Sequence, residues 1–130
     1  MSLKNQTPIE IQASPNHDAR TTELSHIILH YTDMDSAQAA LERMCDPAAK
    51  VSAHYLIHRD GQIVQLVEES RRAWHAGVSE FGGRAECNDY SVGIELEGTD
   101  HDAYTSAQYR QLTRVTQALM QAYPALTRRR

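Results

Sequence analysis

The run Leu24-Ser-His-Ile-Ile-Leu-His-Tyr-Thr32 constrains the fold more than any other stretch of the chain. Ile27, Ile28 and Leu29 are consecutive and apolar. The run is too short for a buried helix, and two of its members are β-branched, so it reads as a strand. Three apolar side chains in a row point to both faces, which predicts a strand covered on both sides. Asp33, Asp35 and Ser36 follow at once and stop it. The strand therefore ends by delivering His30 to the head of whatever comes next. A histidine there is placed either for chemistry or as a hydrogen-bonded bystander, and this segment alone does not separate the two.

The remaining elements arrange themselves around that strand. Residues up to Glu23 are polar, carry Pro8 and Pro15, and read as an arm over the surface, residues 1–23. Asp35 with Gln38 forms a capping-box pattern, and Ala37, Ala40, Leu41 and Met44 then share one helical face before Pro47. His54–Ile57 and Gln62–Gln65 read as a hairpin turned by Asp60-Gly61. Residues 66–83 look irregular and hold the only tryptophan, which suits a binding rim. Ser91–Glu97 alternates, with Val92, Ile94 and Leu96 on one face and Gly93, Glu95 and Glu97 on the other. Thr105 with Gln108 is a second capping box. Tyr109, Leu112, Val115, Leu119 and Tyr123 follow at helical spacing until Pro124. The order β-α-β-β-β-α predicts an α/β (α+β) domain over residues 24–130, a mixed sheet flanked by helices.

Composition removes several classes of function. At 130 residues the chain suits one domain. A net charge of −4 gives no global attraction to nucleic acid or anionic lipid. No apolar run is long enough to span a membrane, and Met1–Gln6 lacks a signal-like hydrophobic region, so a cytoplasmic location, or a mature form with its signal removed, is expected. Cys45 and Cys87 lack CxxC spacing, and a reduced state fits that location. Oligomeric state is not legible. Seven histidines raise the expectation of a metal or acid–base site.

Among those histidines, His26 and His30 lie about 13 Å apart along a strand, too far for one zinc with ligands at about 2 Å. At most one is a ligand, and His30, nearer the strand end, is the better candidate. Glu95 is a carboxylate on an otherwise packed strand with Gly93 leaving space beside it. It is either used or simply solvated on an open sheet face. Glu95 and Glu97, about 7 Å apart, point the same way from one strand, so they do not make a glycosidase pair. His75 either contacts substrate or satisfies loop backbone, and Trp74 either stacks on a sugar or fills core. His54 and His58 flank the hairpin strand and either pack or face solvent.

Taken in order, five stretches carry a resemblance: Ile27-Ile-Leu-His30-Tyr-Thr, Val51-Ser-Ala-His54-Tyr-Leu-Ile-His-Arg-Asp-Gly61, Arg72-Ala-Trp74-His75-Ala-Gly77, Cys87-Asn88 through Glu95 to Gly98, and Tyr104 to Tyr109. The chain resembles the zinc-dependent N-acetylmuramoyl-L-alanine amidases (amidase 2) of the AmpD, phage-lysozyme and peptidoglycan-recognition-protein type, most of all the AmpD branch. That resemblance implies a mixed sheet flanked by helices with a Zn2+ site in a groove. It implies hydrolysis of the amide between the lactyl group of N-acetylmuramic acid and L-alanine, in peptidoglycan or in muropeptides. His30 matches the first zinc ligand and Glu95 the proposed general base. A tyrosine that some members use instead matches Ala53 here. Trp74, His75 and Arg84 are expected to line the groove from the irregular segment, and Asn88 joins them as a substrate-binding residue.

The resemblance also has a gap. The family's second zinc histidine, a third ligand and a lysine follow its long helix, whereas this chain has no histidine after His101 and no lysine after Lys50. One of three expected ligands is present, and a single imidazole does not hold catalytic zinc. The sequence therefore predicts an amidase domain shortened at its C-terminus. The alternatives are a metal-free, catalytically inactive muropeptide binder, or a site completed by another chain or by His75 or Glu95.

Overall fold

The computed structural model describes residues 8–77 and 85–126, with the backbone of residues 80, 81 and 84. In chain order the elements are β1 (Glu10–Ile11), β2 (His17–Ala19), β3 (His26–Tyr31), α1 (Ala37–Met44), β4 (Tyr55–Ile57), β5 (Ile63–Gln65), β6 (Arg71–Ala73), β7 (Glu80–Phe81), β8 (Arg84–Ala85), β9 (Ser91–Leu96) and α2 (Ser106–Ala122). A five-stranded mixed sheet has the order β1-β5-β4-β9-β3. Both β3 and β4 run parallel to β9, β1 runs parallel to β5, and the β4–β5 pair is antiparallel. The expected mixed sheet with flanking helices is the fold observed.

The alternation of β9 sorts the two sides. Val92, Ile94 and Leu96 join Tyr55, Ile57, Ile63, Val115 and Leu119 in the core under α2. On the other side Leu56 and Val64 pack against Ala37, Ala40, Leu41 and Met44 of α1, with Val67 and Ala73. The capping box of α2 is present, Thr105 accepting from the Gln108 backbone and Gln108 from that of Thr105. The apolar face of α1 is the one its spacing predicts, but its cap is Ser36, not Asp35: the Ser36 hydroxyl accepts from Ala39 N–H at 3.1 Å. Gln38 donates to Glu42 on the helix surface instead.

Three other expectations change. β3 is not covered on both faces. It is the outermost strand of its sheet among the described residues, and Leu29 and Tyr31 are 49% and 43% exposed. An apolar triplet specifies a strand but not its place in the sheet. The hairpin turn is also not a two-residue Asp60-Gly61 loop. Gly61 N–H donates to His58 O and His58 N–H to Gln62 O, both at 2.9 Å, so Arg59 and Asp60 are central. Gly61 then takes the positive φ of 92° that a glycine bulge after the turn requires. Finally, the segment read as irregular holds β6, which pairs with β2, so part of the N-terminal arm is built into the fold. Ser14 and Asn16 of that arm are buried, and Asn16 Nδ2 donates to the carbonyls of Met44, Asp46 and Val51.

The helical spacing of α2 is met unevenly, since Val115 and Leu119 are fully buried while Tyr109 is 56% exposed. Leu119→Ala is expected to lower the unfolding free energy by roughly 2–5 kcal/mol, and Tyr109→Ala by about 0.5 kcal/mol or less, in urea titrations.

Candidate active site

The register of the parallel pair builds the site. His30 of β3 stands directly across from Glu95 of β9, each one residue from the end of its strand. Neighbouring strands lie about 4.8 Å apart, so the two side chains leave the same face side by side. Ligands of sheets with parallel strands gather outside the carboxyl ends of those strands. A cleft of about 180 Å³ opens there, lined by Thr32, Met34, Ala40, Arg43, Met44, Val51, Ser52, Trp74, His75 and Glu95. That is less than the roughly 300–1,000 Å³ that encloses a drug-sized ligand.

Glu95 is not solvated on an open face, because residues of α1 together with Trp74 and His75 wall that side. Burial pushes its carboxyl up to about 7. It makes no hydrogen bond or ion pair with any described residue. A carboxyl that is half-buried, unpaired and poised near neutrality can accept and return a proton.

The space beside Gly93 holds the ring of His75. A Cβ at position 93 would come within 2.6 Å of His75 Cδ2, closer than carbon atoms pack. The ring's Nδ1 lies 2.9 Å from His30 Nε2, and its Nε2 lies 3.0 Å from Ser91 Oγ. Burial, with the neighbouring His30 and His54, pushes His75 down to about 3. His30 is likewise lowered by burial. His75 thus both lines the cleft and backs His30. Trp74 is a half-buried wall of the cleft, its backbone tied to Ser52 by two hydrogen bonds of 2.9 Å.

Asn88 is buried and does not line the cleft. Its Oδ1 accepts from the backbone N–H groups of His75 and Ala76 at 3.1 and 2.9 Å, which holds the Trp-His-Ala segment in place. The side chain of Arg84 lies outside the described residues. His26 stacks edge-on to Tyr90, away from His30.

Four contributors were given no role in the site by the sequence. His54 is fully buried: Nδ1 accepts from Gly93 N–H at 3.1 Å and Nε2 donates to Arg71 O at 2.9 Å. The Arg20 guanidinium donates to the carbonyls of Glu69, Asp89, Arg71 and Ser91, and brings a positive charge 3.1 Å from His54. Burial first, and that charge second, push His54 down to about 4. Ser91 supports His75, and Arg43 adds a cation to the cleft wall. Only Gly93 carried a usable signal, since a glycine inside a strand marks close approach.

The resemblance implies zinc, and the residues present do not by themselves form its centre. Among the described residues no three His, Cys, Asp or Glu side chains are placed to hold one metal ion. His30 has one nitrogen engaged by His75. A catalytic zinc takes three protein ligands.

The family model for N-acetylmuramoyl-L-alanine amidase matches residues 20–130. The chain belongs to that family. It is 62% identical over 79 residues to the 1,6-anhydro-N-acetylmuramyl-L-alanine amidase AmpD of Escherichia coli (strain K12), which is 61% of this chain and 43% of the relative. The match thus spans less than half the length of that relative. A crystal structure of an AmpD selenomethionine derivative superimposes with a TM-score of 0.80 at 43% identity, covering 91% of this chain and 76% of that one. The amidase AmiD from E. coli, solved with anhydro-N-acetylmuramic acid-L-Ala-D-γ-Glu-L-Lys, gives 0.68 at 27% identity, covering 95% and 49%.

Two outcomes follow for the site's support. Gly93→Ala is expected to displace the His75 ring and to cost roughly 1–3 kcal/mol of stability in chemical denaturation. The unfolded chain takes a proton at position 54 below the ordinary value of 6.5, whereas folded His54 refuses it until about 4. Stability is therefore whole above pH 6.5 and falls through that window, by up to roughly 3 kcal/mol. Urea titrations at pH 7 and 4.5 should show the fall, and His54→Gln should reduce it.

Proposed function

We propose that this chain carries the substrate cleft and proton-transfer group of an N-acetylmuramoyl-L-alanine amidase acting on anhydro-muropeptides. The observation that carries the reading is Glu95, a carboxyl without a partner among the described residues, raised to about 7, across the strand pair from His30 and inside the cleft. Amide hydrolysis needs a group that takes a proton from the attacking water and gives one to the leaving amine. A carboxyl near neutrality does both. Water oxygen bonds to the lactyl carbonyl carbon, the C–N bond breaks, and the L-alanine amine leaves with the proton that Glu95 held. The products are a carboxylic acid on the sugar and a free peptide.

The other cleft groups fit the substrate's parts. Trp74 offers an aromatic face to the sugar ring, and Arg43 offers a positive charge to an anionic peptide stem. Zinc, as the family implies it, would polarise the carbonyl and acidify the water. His30 is the residue of this chain that would bind it, and further ligands would be needed. The name of the AmpD relative and the ligand solved with AmiD support the anhydro sugar as part of this reading. No helix among the described residues is long and apolar enough to cross a membrane.

The test is release of free peptide from anhydro-N-acetylmuramyl peptides, followed by chromatography, alongside calorimetric binding. Glu95→Gln should lower turnover by roughly 10²–10⁴-fold, with much less change in binding. Trp74→Ala should weaken binding. Equal binding and no turnover in wild type and Glu95→Gln would favour the second reading, a muropeptide-binding domain. That reading draws its support from the single candidate zinc ligand. Unchanged turnover in Glu95→Gln would remove Glu95 from the chemistry.

A further inference from the structure

We propose that His75 is a positioning residue that fixes the tautomer of His30, so that Nδ1 of His30 is its free nitrogen and Nε2 carries the proton. The relay begins at an atom that can only accept. Ser91 Oγ lies 2.5 Å from the carbonyl oxygen of Cys87. A carbonyl has no proton to give, so the Ser91 hydroxyl donates there. The same oxygen lies 3.0 Å from His75 Nε2. With its own proton committed, it accepts, and His75 Nε2 is the donor.

The surroundings of His75 hold it in the neutral form: its ring is packed against the backbone of Gly93, and its two nitrogens meet only His30 and the Ser91 hydroxyl, with no carboxylate among its hydrogen-bond partners in the described residues. A neutral imidazole protonated at Nε2 has a lone pair at Nδ1. That Nδ1 is 2.9 Å from His30 Nε2, so His30 donates and its Nε2 bears the proton. In the neutral ring His30 Nδ1 is then unprotonated, and it has no hydrogen-bond partner among the described residues. The direction of every bond in the relay is set at the Cys87 carbonyl, three groups from His30. The relay is also held in place. The missing side chain of Gly93 seats the ring, and Asn88 grips the backbone of His75 and Ala76. Outer-sphere partners of this kind decide which nitrogen of a functional histidine is available.

The inference rests on assigning His30 to the chemistry of the cleft, but its test reads the tautomer and not turnover. A wrong tautomer and an absent activity are therefore separate results. The experiment is a long-range ¹H–¹⁵N correlation spectrum of the ¹⁵N-labelled protein at neutral pH. His30 and His75 are both expected as Nε2–H tautomers with unprotonated Nδ1. His75→Gln, whose amide oxygen can accept, should leave His30 unchanged. His75→Phe fills the space over Gly93 without an acceptor and should shift the His30 nitrogens toward averaged values. Ser91→Ala frees the direction of the relay and should do the same to both rings, which keeps the test open if His75→Phe does not fold. His30 protonated at Nδ1 in the wild type would overturn the proposal. So would His30 signals unmoved by Ser91→Ala.

Discussion

The parallel pairing of β3 with β9 is the constraint on which the rest of the structure depends. It sets His30 across from Glu95 and Ile28 across from Gly93, so the face of the candidate site and the seat of His75 come from one register. A slip by one residue would turn His30 and Glu95 to opposite faces, because side chains alternate along a strand. Parallel strands need crossovers, and the β3-to-β4 crossover supplies α1, which covers the side where the cleft lies. The same β9 that offers Glu95 to the cleft offers Val92, Ile94 and Leu96 to α2. One strand therefore anchors both layers and the site.

The site's electrostatics follow from that covering. Three imidazoles, His30, His54 and His75, sit in ring-to-ring contact, and burial holds their basicity down. Charging any of them would cost desolvation and repulsion from its neighbours. The same burial raises Glu95. The polar atoms around these groups are satisfied by backbone partners: Arg71 O and Gly93 N for His54, Cys87 O for Ser91, and the N–H groups of His75 and Ala76 for Asn88. Glu95 stands apart as the cleft's unpaired ionisable acid among the described residues. Polar groups held in fixed orientations around one unspent carboxyl are what proton transfer requires.

Much of this was legible before the fold. The strand and helix faces of residues 26–31, 37–44 and 91–96 follow from period, because burial acts on one face of a regular element. The Thr105–Gln108 cap is local chemistry and reads directly. The Asp60-Gly61 turn and the Asp35 cap missed by a residue, since several nearby polar residues could serve and the backbone chose among them. The outer position of β3 was not legible, because a strand's sequence records its faces and not its neighbours. Arg20 was invisible for the same reason: its partners are carbonyls from residues 69 to 91, and no pattern in a chain encodes which carbonyls will be orphaned.

The sequence by itself determined that His30 and Glu95 would each lie on a strand, that Gly93 would leave a gap, and that five ordered motifs would place the chain among muramoyl amidases. These depend on residue type and spacing over a few positions. Only the tertiary structure decided that the gap belongs to His75, that Asn88 grips backbone instead of facing the cleft, and that a relay from Cys87 sets the proton on His30. Their decisive contacts to His75 and Ala76 join residues 12 to 45 positions apart. They are fixed by which surfaces must be buried together, and a local stretch of sequence carries no record of that.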